Sequence, residues 1–420
     1  MVHSPLCSIK SIRNCRCLIL LWFACMFCNP TVDAQTWTLV WNDEFNGAAN
    51  SPIDASRWQF EHGDLKVNNE LEFYCAPTDR APCDPGNPNA FIDGRGNLVI
   101  QALRITDQTA PSSNAWTSAR LNTANNLASF RFGRIEARIS LPTGPGIWPA
   151  FWSLGTDINK VDWPSCGEMD FMENVPESGG LGPGIVKSTI HGPGYSGGEG
   201  LGQDFKLPAG SSVMTPHIYG VIWSPFIVQF YVDDPANIFF IRTPQDLPAD
   251  KRWVYNRPFY LLLNLAIGGV GSWPGPPNEN TRSPARMLVD YVRAYKPSVL
   301  RPPTASGMLP IAMEGGNAGS SAFDLSAAIG TGPVALTCST DAPQIACKVI
   351  TGDPYNAAVA DFTTRTVVRV FVVATPTTGT RDSNKTSPGA YKVIVHSYTV
   401  SSDPENVGSV GTYRIPLTVK

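Results

Sequence analysis

Residues 133–141 read GRIEARISL. Ile135, Ala137 and Ile139 fall on one face and Arg134, Glu136 and Arg138 on the other, the two-residue period of a half-buried β-strand. Similar runs lie on both sides between Gly, Pro and Asn clusters: NLVIQAL at 97–103, residues 217–223, IVQFYVD at 227–233, FYLLLNLA at 259–266 and MLVDYVRAY at 287–295. Long helical periods are few. Many short strands with regular turn signals predict an all-β chain built as a sandwich or barrel. The chain has 37 Gly and 37 Pro without a Gly-X-Y period, which fits turns and excludes collagen.

Composition changes near Pro297. The stretch 298–307, SVLRPPTASG, is rich in Pro and small residues and reads as a linker. Beyond it Trp disappears, and Val/Thr-rich runs follow at 365–375, 390–400 and 411–420. Residues 308–420, on the order of 115 residues in this pattern, suit a smaller immunoglobulin-like β-sandwich. That leaves 36–297 as one larger β domain. The second domain has no carboxylate pair in an apolar frame, and its Tyr355 and Tyr391 are too few to argue sugar binding. It reads as a spacer, a stabiliser or an interaction module.

The N-terminus reads as an export signal. Lys10, Arg13 and Arg16 precede the apolar run 17–28, then Pro30 and the small-residue pattern Val32-Asp33-Ala34, which places cleavage after Ala34. Twelve apolar residues are too few to span a bilayer comfortably, although an uncleaved anchor or a lipoprotein signal stays open. The expected location is secreted or periplasmic, with no membrane association after cleavage. The chain has 32 basic and 35 acidic residues, a net of −3; losing three basic residues and Asp33 leaves 29 and 34, a net of −5. There is no basic excess for nucleic acid. Of ten Cys, five leave with residues 1–34, and the simplest pairing of the rest is Cys75–Cys83 and Cys338–Cys347 with Cys166 free. A sequon at Asn384-Lys385-Thr386 matters only in a eukaryotic secretory host.

The chemistry concentrates in WPSCGEMDFME at 163–173. On a regular strand Glu168 and Asp170 share a face and Glu173 points away. A bulge around Phe171 or Met172 adds one residue and brings all three carboxylates to one face. Two carboxyls so placed can carry retaining glycoside hydrolysis, one as nucleophile and the other as acid and then base. The alternatives are a calcium site and a solvated strand face. Calcium favours Asp/Asn/Gly-rich loops, and this segment is apolar between its acids.

The same stretch resembles the signature of glycoside hydrolase family 16 in its laminarinase-like, endo-β-1,3-glucanase form, E-x-D-x-x-E. WNDEF at 41–45, NNELE at 68–72, FGRIEARISLPTGPGIWPAFWSL at 132–154, TIHG at 189–192, GGVGSWPGPP at 268–277 and VDYVR at 289–293 are similar to that family in the same order. The resemblance covers roughly 36–297. It implies a concanavalin A-like β-jelly-roll with a cleft across one sheet, and a secreted, retaining endo-glycosidase that acts as a monomer on β-1,3-glucan. Other specificities on the fold, such as mixed-linkage glucan or agarose, stay open, as does a non-catalytic glucan-binding protein.

The resemblance implies site residues one by one. Glu168 matches the nucleophile, Glu173 the general acid/base and Asp170 the assisting carboxylate, with His191 on the neighbouring strand. Trp148, Trp152 and Trp163 match cleft aromatics, Trp273 a further subsite wall, and Asn69, Glu70 and Arg120 polar cleft contacts. No cofactor is implied for catalysis. A structural calcium is implied at Glu44, the Gly94 carbonyl and Asp290. The loop 75–88, CAPTDRAPCDPGNP, is longer and more cysteine-bearing than the family pattern.

Overall fold

The structure is a computed structural model that describes residues 37–105, 115–224, 226–248, 250–297, 304–306, 308–313, 318–326, 333–342, 345–351, 359–361, 367–376, 389–398 and 411–419. The expected leader (1–34), the sequon, Tyr355, and residues 298–303 and 307 of the expected linker lie outside these. Among the described residues no helix is long and apolar enough to cross a membrane.

The larger domain packs a ten-stranded sheet on a seven-stranded one. The GRIEARISL run forms the strand Gly133–Ser140, between His217–Ser224 and Ala285–Pro297 in the ten-stranded sheet. Ile135, Ala137 and Ile139 point into the core as the alternation predicts, but Glu136 on the other face is also buried, at 6% exposure. The reason lies across the strand pairs. Tyr231 and Tyr295 hydroxyls both donate to its carboxylate, and Arg134 lies 3.5 Å from it. The strand must begin with glycine: Gly133 has φ +119°, and a Cβ there would sit 2.4 Å from the Tyr295 carbonyl oxygen.

The seven-stranded sheet runs in the order Leu201–Lys206, Ile185–His191, Glu168–Glu173, Ile147–Gly155, Phe259–Ile267, Arg120–Asn122 and Gln59–Phe60. Its pairings are antiparallel. Phe259–Ile267 is buried at all nine positions, as a near-continuous apolar run in a central strand should be. Between the sheets lies one core in which the Phe171 ring meets Phe151 edge-on at 4.8 Å and Phe230 at 6.3 Å. Each fully buried ring contributes about 1.5–3 kcal/mol. The Cys75–Cys83 disulfide closes the Pro-rich loop, and Cys166 is free and buried.

The C-terminal residues form two further sheets. One has the order Thr304–Ser306, Gly319–Ser326, Val367–Pro376, Ile345–Thr351; the other has Ile311–Met313, Gly411–Val419, Gly389–Tyr398, Pro333–Thr340, Val359–Asp361. Phe323, Leu336, Val349, Val370, Ile415 and Leu417 belong to their separate core. The Cys338–Cys347 disulfide joins one strand of each sheet. Thr304–Ser306 pairs with Asp324–Ser326, so ordered pairing begins inside the stretch whose composition reads as linker. Three small or hydroxyl residues, Thr304-Ala305-Ser306, serve equally well as an edge strand.

Candidate active site

The acidic strand Glu168–Glu173 pairs with Ile147–Gly155 on one side and Ile185–His191 on the other. Its register shifts between Asp170 and Met172 against the first and between Asp170 and Glu173 against the second. This is the bulge the spacing requires. Phe171 and Met172, adjacent in sequence, are both fully buried, which no regular strand with one open face allows. The anchoring of Phe171 between Phe151 and Phe230 holds the bulge. Its consequence is that Glu168, Asp170 and Glu173 share the outer face of the seven-stranded sheet.

Each acid has a distinct partner. The Trp163 indole N–H donates to Glu168 Oε2 at 2.8 Å, and the Trp148 indole N–H donates to Glu173 Oε1 at 3.1 Å. His191, opposite Glu168 on the next strand, places Nε2 3.1 Å from Asp170 Oδ2 and 3.7 Å from Glu168 Oε1. One ligand-type atom each of Glu168, Asp170 and His191 lies within 4.8 Å of the others. The ring of His191 fits because residue 200 is glycine: a Cβ there would lie 2.3 Å from His191 Cε1. Among the described residues no Arg or Lys forms an ion pair with the three acids.

Without a guanidinium, burial governs their protonation. It pushes Glu168 up to about 8; the charge of Asp170 adds to the rise, while His191 and the Trp163 N–H oppose it. Burial also pushes Glu173 up to about 7, with the charge of Glu168 adding and His191, the Trp148 N–H and Lys187 opposing. Asp170 is held well above the usual carboxylate range by burial and then by Glu173. Its side chain is only 4% exposed, against 15% for Glu168. Burial thus favours the neutral form of Asp170, and a neutral Asp170 no longer repels the Glu168 anion.

The remaining expected positions arrange around this strand. Trp152 stands opposite Asp170, and the Arg120 guanidinium covers its ring at 4.7 Å. Arg120 is held by Glu61 at 3.0 Å. Trp148 meets Trp273 edge-on at 5.7 Å; Trp273 is 37% exposed and Trp163 45%. The Trp273 indole N–H donates to the Gly179 carbonyl, pinning its loop. Asn69 (φ 55°) and Glu70 lie beside that loop, Glu70 bridging to Gly268 and the Asn69 carbonyl lying where a Gly269 Cβ would clash, at 2.5 Å. Sequence reasoning missed Lys187, which pairs in register with Glu173, and Asn264, which takes the Trp152 N–H at 2.7 Å. The signal for Asn264 was its isolation inside FYLLLNLA, where a buried amide needs partners.

The three residues expected to hold calcium sit apart from this face. Arg293 grips Glu44 through two hydrogen bonds of 2.8 and 2.7 Å, and Asn42 donates to the same carboxylate. Arg138 pairs with Asp290 at 2.6 Å. Gly94 has φ +75°, and a Cβ would meet the Ala49 nitrogen at 2.7 Å, so glycine is needed there on steric grounds alone. The oxygen donors are of the right chemistry, but both carboxylates already have cationic partners.

Comparison with known proteins places this geometry. The family described as Glycosyl hydrolases family 16 matches residues 88–293. The Beta-glucanase of Rhodothermus marinus is 32% identical over 310 residues, covering 70% of this chain and 99% of the relative. The Glucan endo-1,3-beta-glucosidase A1 of Niallia circulans is 33% identical over 268 residues, 61% of this chain, which spans only 38% of that relative's length. The X-ray structure of endo-beta-1,3-glucanase from Pyrococcus furiosus superposes with a TM-score of 0.54 at 38% identity, covering 63% of this chain and 96% of that one.

Proposed function

The chain belongs to the glycosyl hydrolases of family 16, and from that premise we propose that it is a secreted, retaining endo-glycosidase that cleaves β-1,3-glucan by double displacement. The observation that carries this reading is the bulged strand, which sets two indole-held glutamates on one face with Asp170 between them. Burial raises both glutamates, Glu168 to about 8 and Glu173 to about 7, and the reactive form is the one in which their shared proton sits on Glu173; a neutral Asp170 favours it by removing the charge that raises Glu168, as do His191 and the Trp163 N–H. In that form the Glu168 anion attacks the anomeric carbon while Glu173 gives its proton to the leaving oxygen; Glu173 then takes a proton from the water that releases the glycosyl-enzyme. Asp170, neutral, and His191 keep Glu168 charged and oriented. Trp148, Trp163 and Trp273 offer apolar ring surface to sugar C–H faces, and Asn69, Glu70 and Arg120 offer polar contacts. Trp152 keeps one face for sugar, because Arg120 covers the other.

The β-1,3 preference is supported by the glucanase names of the relatives. Product analysis on laminarin, lichenan, agarose and curdlan, with the first-formed anomer followed by NMR, tests both parts. A β-anomer from laminarin is expected. An inverted product removes the nucleophile assignment.

Export is supported by the two disulfides, which persist in oxidising compartments. The calcium proposal at Glu44, Gly94 and Asp290 requires an ion to share carboxylates with Arg293 and Arg138; a lowered Tm on chelation tests it. An immunoglobulin-like C-terminal sandwich is supported by its strand order. Taking Thr304–Ser306, Gly319–Ser326, Pro333–Thr340, Ile345–Thr351, Val367–Pro376, Gly389–Tyr398 and Gly411–Val419 as A to G gives one sheet A-B-E-D and the other C-F-G, with the short strands Ile311–Met313 and Val359–Asp361 added at the two edges of the second.

A further inference from the structure

Beside the acidic strand, on the same face of the sheet, a chain of hydrogen bonds runs away from the acids. The Trp152 indole N–H donates to Asn264 Oδ1 at 2.7 Å. Asn264 Nδ2 donates to the Tyr74 hydroxyl at 3.2 Å, and that hydroxyl donates to Glu70 Oε2 at 3.2 Å. The direction is set from the Trp152 end. An indole nitrogen only donates, so the amide oxygen of Asn264 must face it; the amide NH2 then donates to the Tyr74 hydroxyl oxygen, which leaves the hydroxyl proton for the Glu70 carboxyl. All three donors therefore point toward Glu70, and bonds aligned in this way polarise one another.

The middle of the chain is out of water: Tyr74 is 1% exposed and Asn264 5%. Neither site needs polarity for packing, since Asn264 stands in the most apolar strand of the domain. Glu72, buried beside Glu70, takes the Ile267 N–H at 2.7 Å and also reaches the Tyr74 hydroxyl and the Glu70 carboxyl, so the chain ends on a pair of acids rather than on Glu70 alone. The ring of Trp152 is fixed from a second side by Arg120, which Glu61 holds and which Asn122 supports through its own bond to Glu61. An indole clamped at its N–H and on one face has a single orientation left.

We propose that the Trp152–Asn264–Tyr74–Glu70 chain is a positioning relay that sets the plane of the Trp152 ring and thereby the affinity for the glucose unit bound beside it. Tyr74 and Asn264 act through Trp152 and touch no sugar. The inference rests on the glucanase reading for its kinetic consequence, but the relay itself does not depend on it.

The test uses Tyr74→Phe, which removes only the central hydroxyl, and Trp152→Phe, which keeps a ring and removes the first donor. Breaking a buried link should raise KM for laminari-oligosaccharides about tenfold with kcat little changed. In the Trp152→Phe background, Tyr74→Phe should add nothing. The difference in tryptophan emission between the native chain and Trp152→Phe should shift when Tyr74→Phe is made in both. An unchanged KM in Tyr74→Phe, a rise that adds in full to that of Trp152→Phe, or an unshifted emission difference overturns the relay. If the native chain leaves every β-glucan intact, the glucanase reading fails instead, and the emission cycle alone decides the relay.

Discussion

Buried acids occur on both sheets of the larger domain, and they are handled in opposite ways. In the ten-stranded sheet Glu136 is 6% exposed, beside Arg134 and under two tyrosine hydroxyls, while Glu44 and Asp290 pair with Arg293 and Arg138. Arg293, first through its hydrogen bonds, draws Glu44 below the usual carboxylate range. In the seven-stranded sheet Asp170 is 3% exposed, and among the described residues its one basic partner is His191. The fold can set a cation beside a buried carboxylate, as at Glu136, although Glu72 in the same sheet as Glu136 is 2% exposed and takes a backbone N–H instead. Clustering three acids with no Arg or Lys ion pair among the described residues is unfavourable to folding, and such arrangements persist where chemistry uses them.

The largest effect should separate the two sets outright. Glu168→Gln should lower kcat on laminarin by about 10⁴-fold or more, as loss of a nucleophile does, with oligosaccharide binding kept in a calorimetric titration. Glu136→Gln should leave kcat unchanged and lower unfolding free energy by about 2–3 kcal/mol, read from urea denaturation, because Arg134 loses its buried partner. An active Glu168→Gln, or an inactive but stable Glu136→Gln, would erase the distinction between the sheets.

That distinction was half legible in the sequence. GRIEARISL gave the strand and its inner face, because a two-residue period needs no tertiary information. It could not show that Glu136 is buried, since the burying groups, Tyr231 and Tyr295, arrive from strands 95 and 159 residues away. The bulge at Phe171 was legible from the parity of three acids. The indole donors to Glu168 and Glu173 were not, since which nitrogen meets which carboxylate depends on register and rotamer. The relay through Asn264 and Tyr74 spans 190 residues and left only one trace, a lone amide among leucines. The start of the C-terminal sheets was misplaced because Thr304-Ala305-Ser306 is equally compatible with a linker and with an edge strand.

A smaller effect concerns stability against pH. Glu168 binds its proton more tightly folded than unfolded, since burial lifts it from 4.5 to about 8. Its contribution to stability is therefore complete below about pH 4.5 and is lost as pH rises through about 8. Glu168→Gln removes one of three mutually repelling charges, so it should melt higher than the native chain near pH 8.5, by about 1–2 kcal/mol or a few degrees. Near pH 5 the two should melt together. Glu44→Gln should do the reverse: its carboxylate is held low by Arg293, so it stabilises above the unfolded value and its loss is felt at neutral pH.

The smallest effect asks how far the charge of a single lysine reaches into the acid set. Glu173 faces Trp148 from one neighbouring strand and Lys187 from the other, with His191, Glu168 and Asp170 along the same face. Lys187 is tied to Asp204 at 2.7 Å, so the pair presents a partly compensated positive charge to Glu173. In the proposed role of general acid Glu173 is competent while protonated, and burial raises its carboxyl, so the alkaline limb of kcat/KM is expected above the ordinary carboxylate range. Lys187→Met removes an ammonium that opposes the proton and should move that alkaline limb upward by a few tenths of a unit to about one unit. Asp204→Asn leaves the ammonium uncompensated and should move it downward. Two substitutions in one ion pair that shift a pH profile in opposite directions cannot both be explained by loosened packing. If both shift it the same way, or neither does, the acids answer to burial alone.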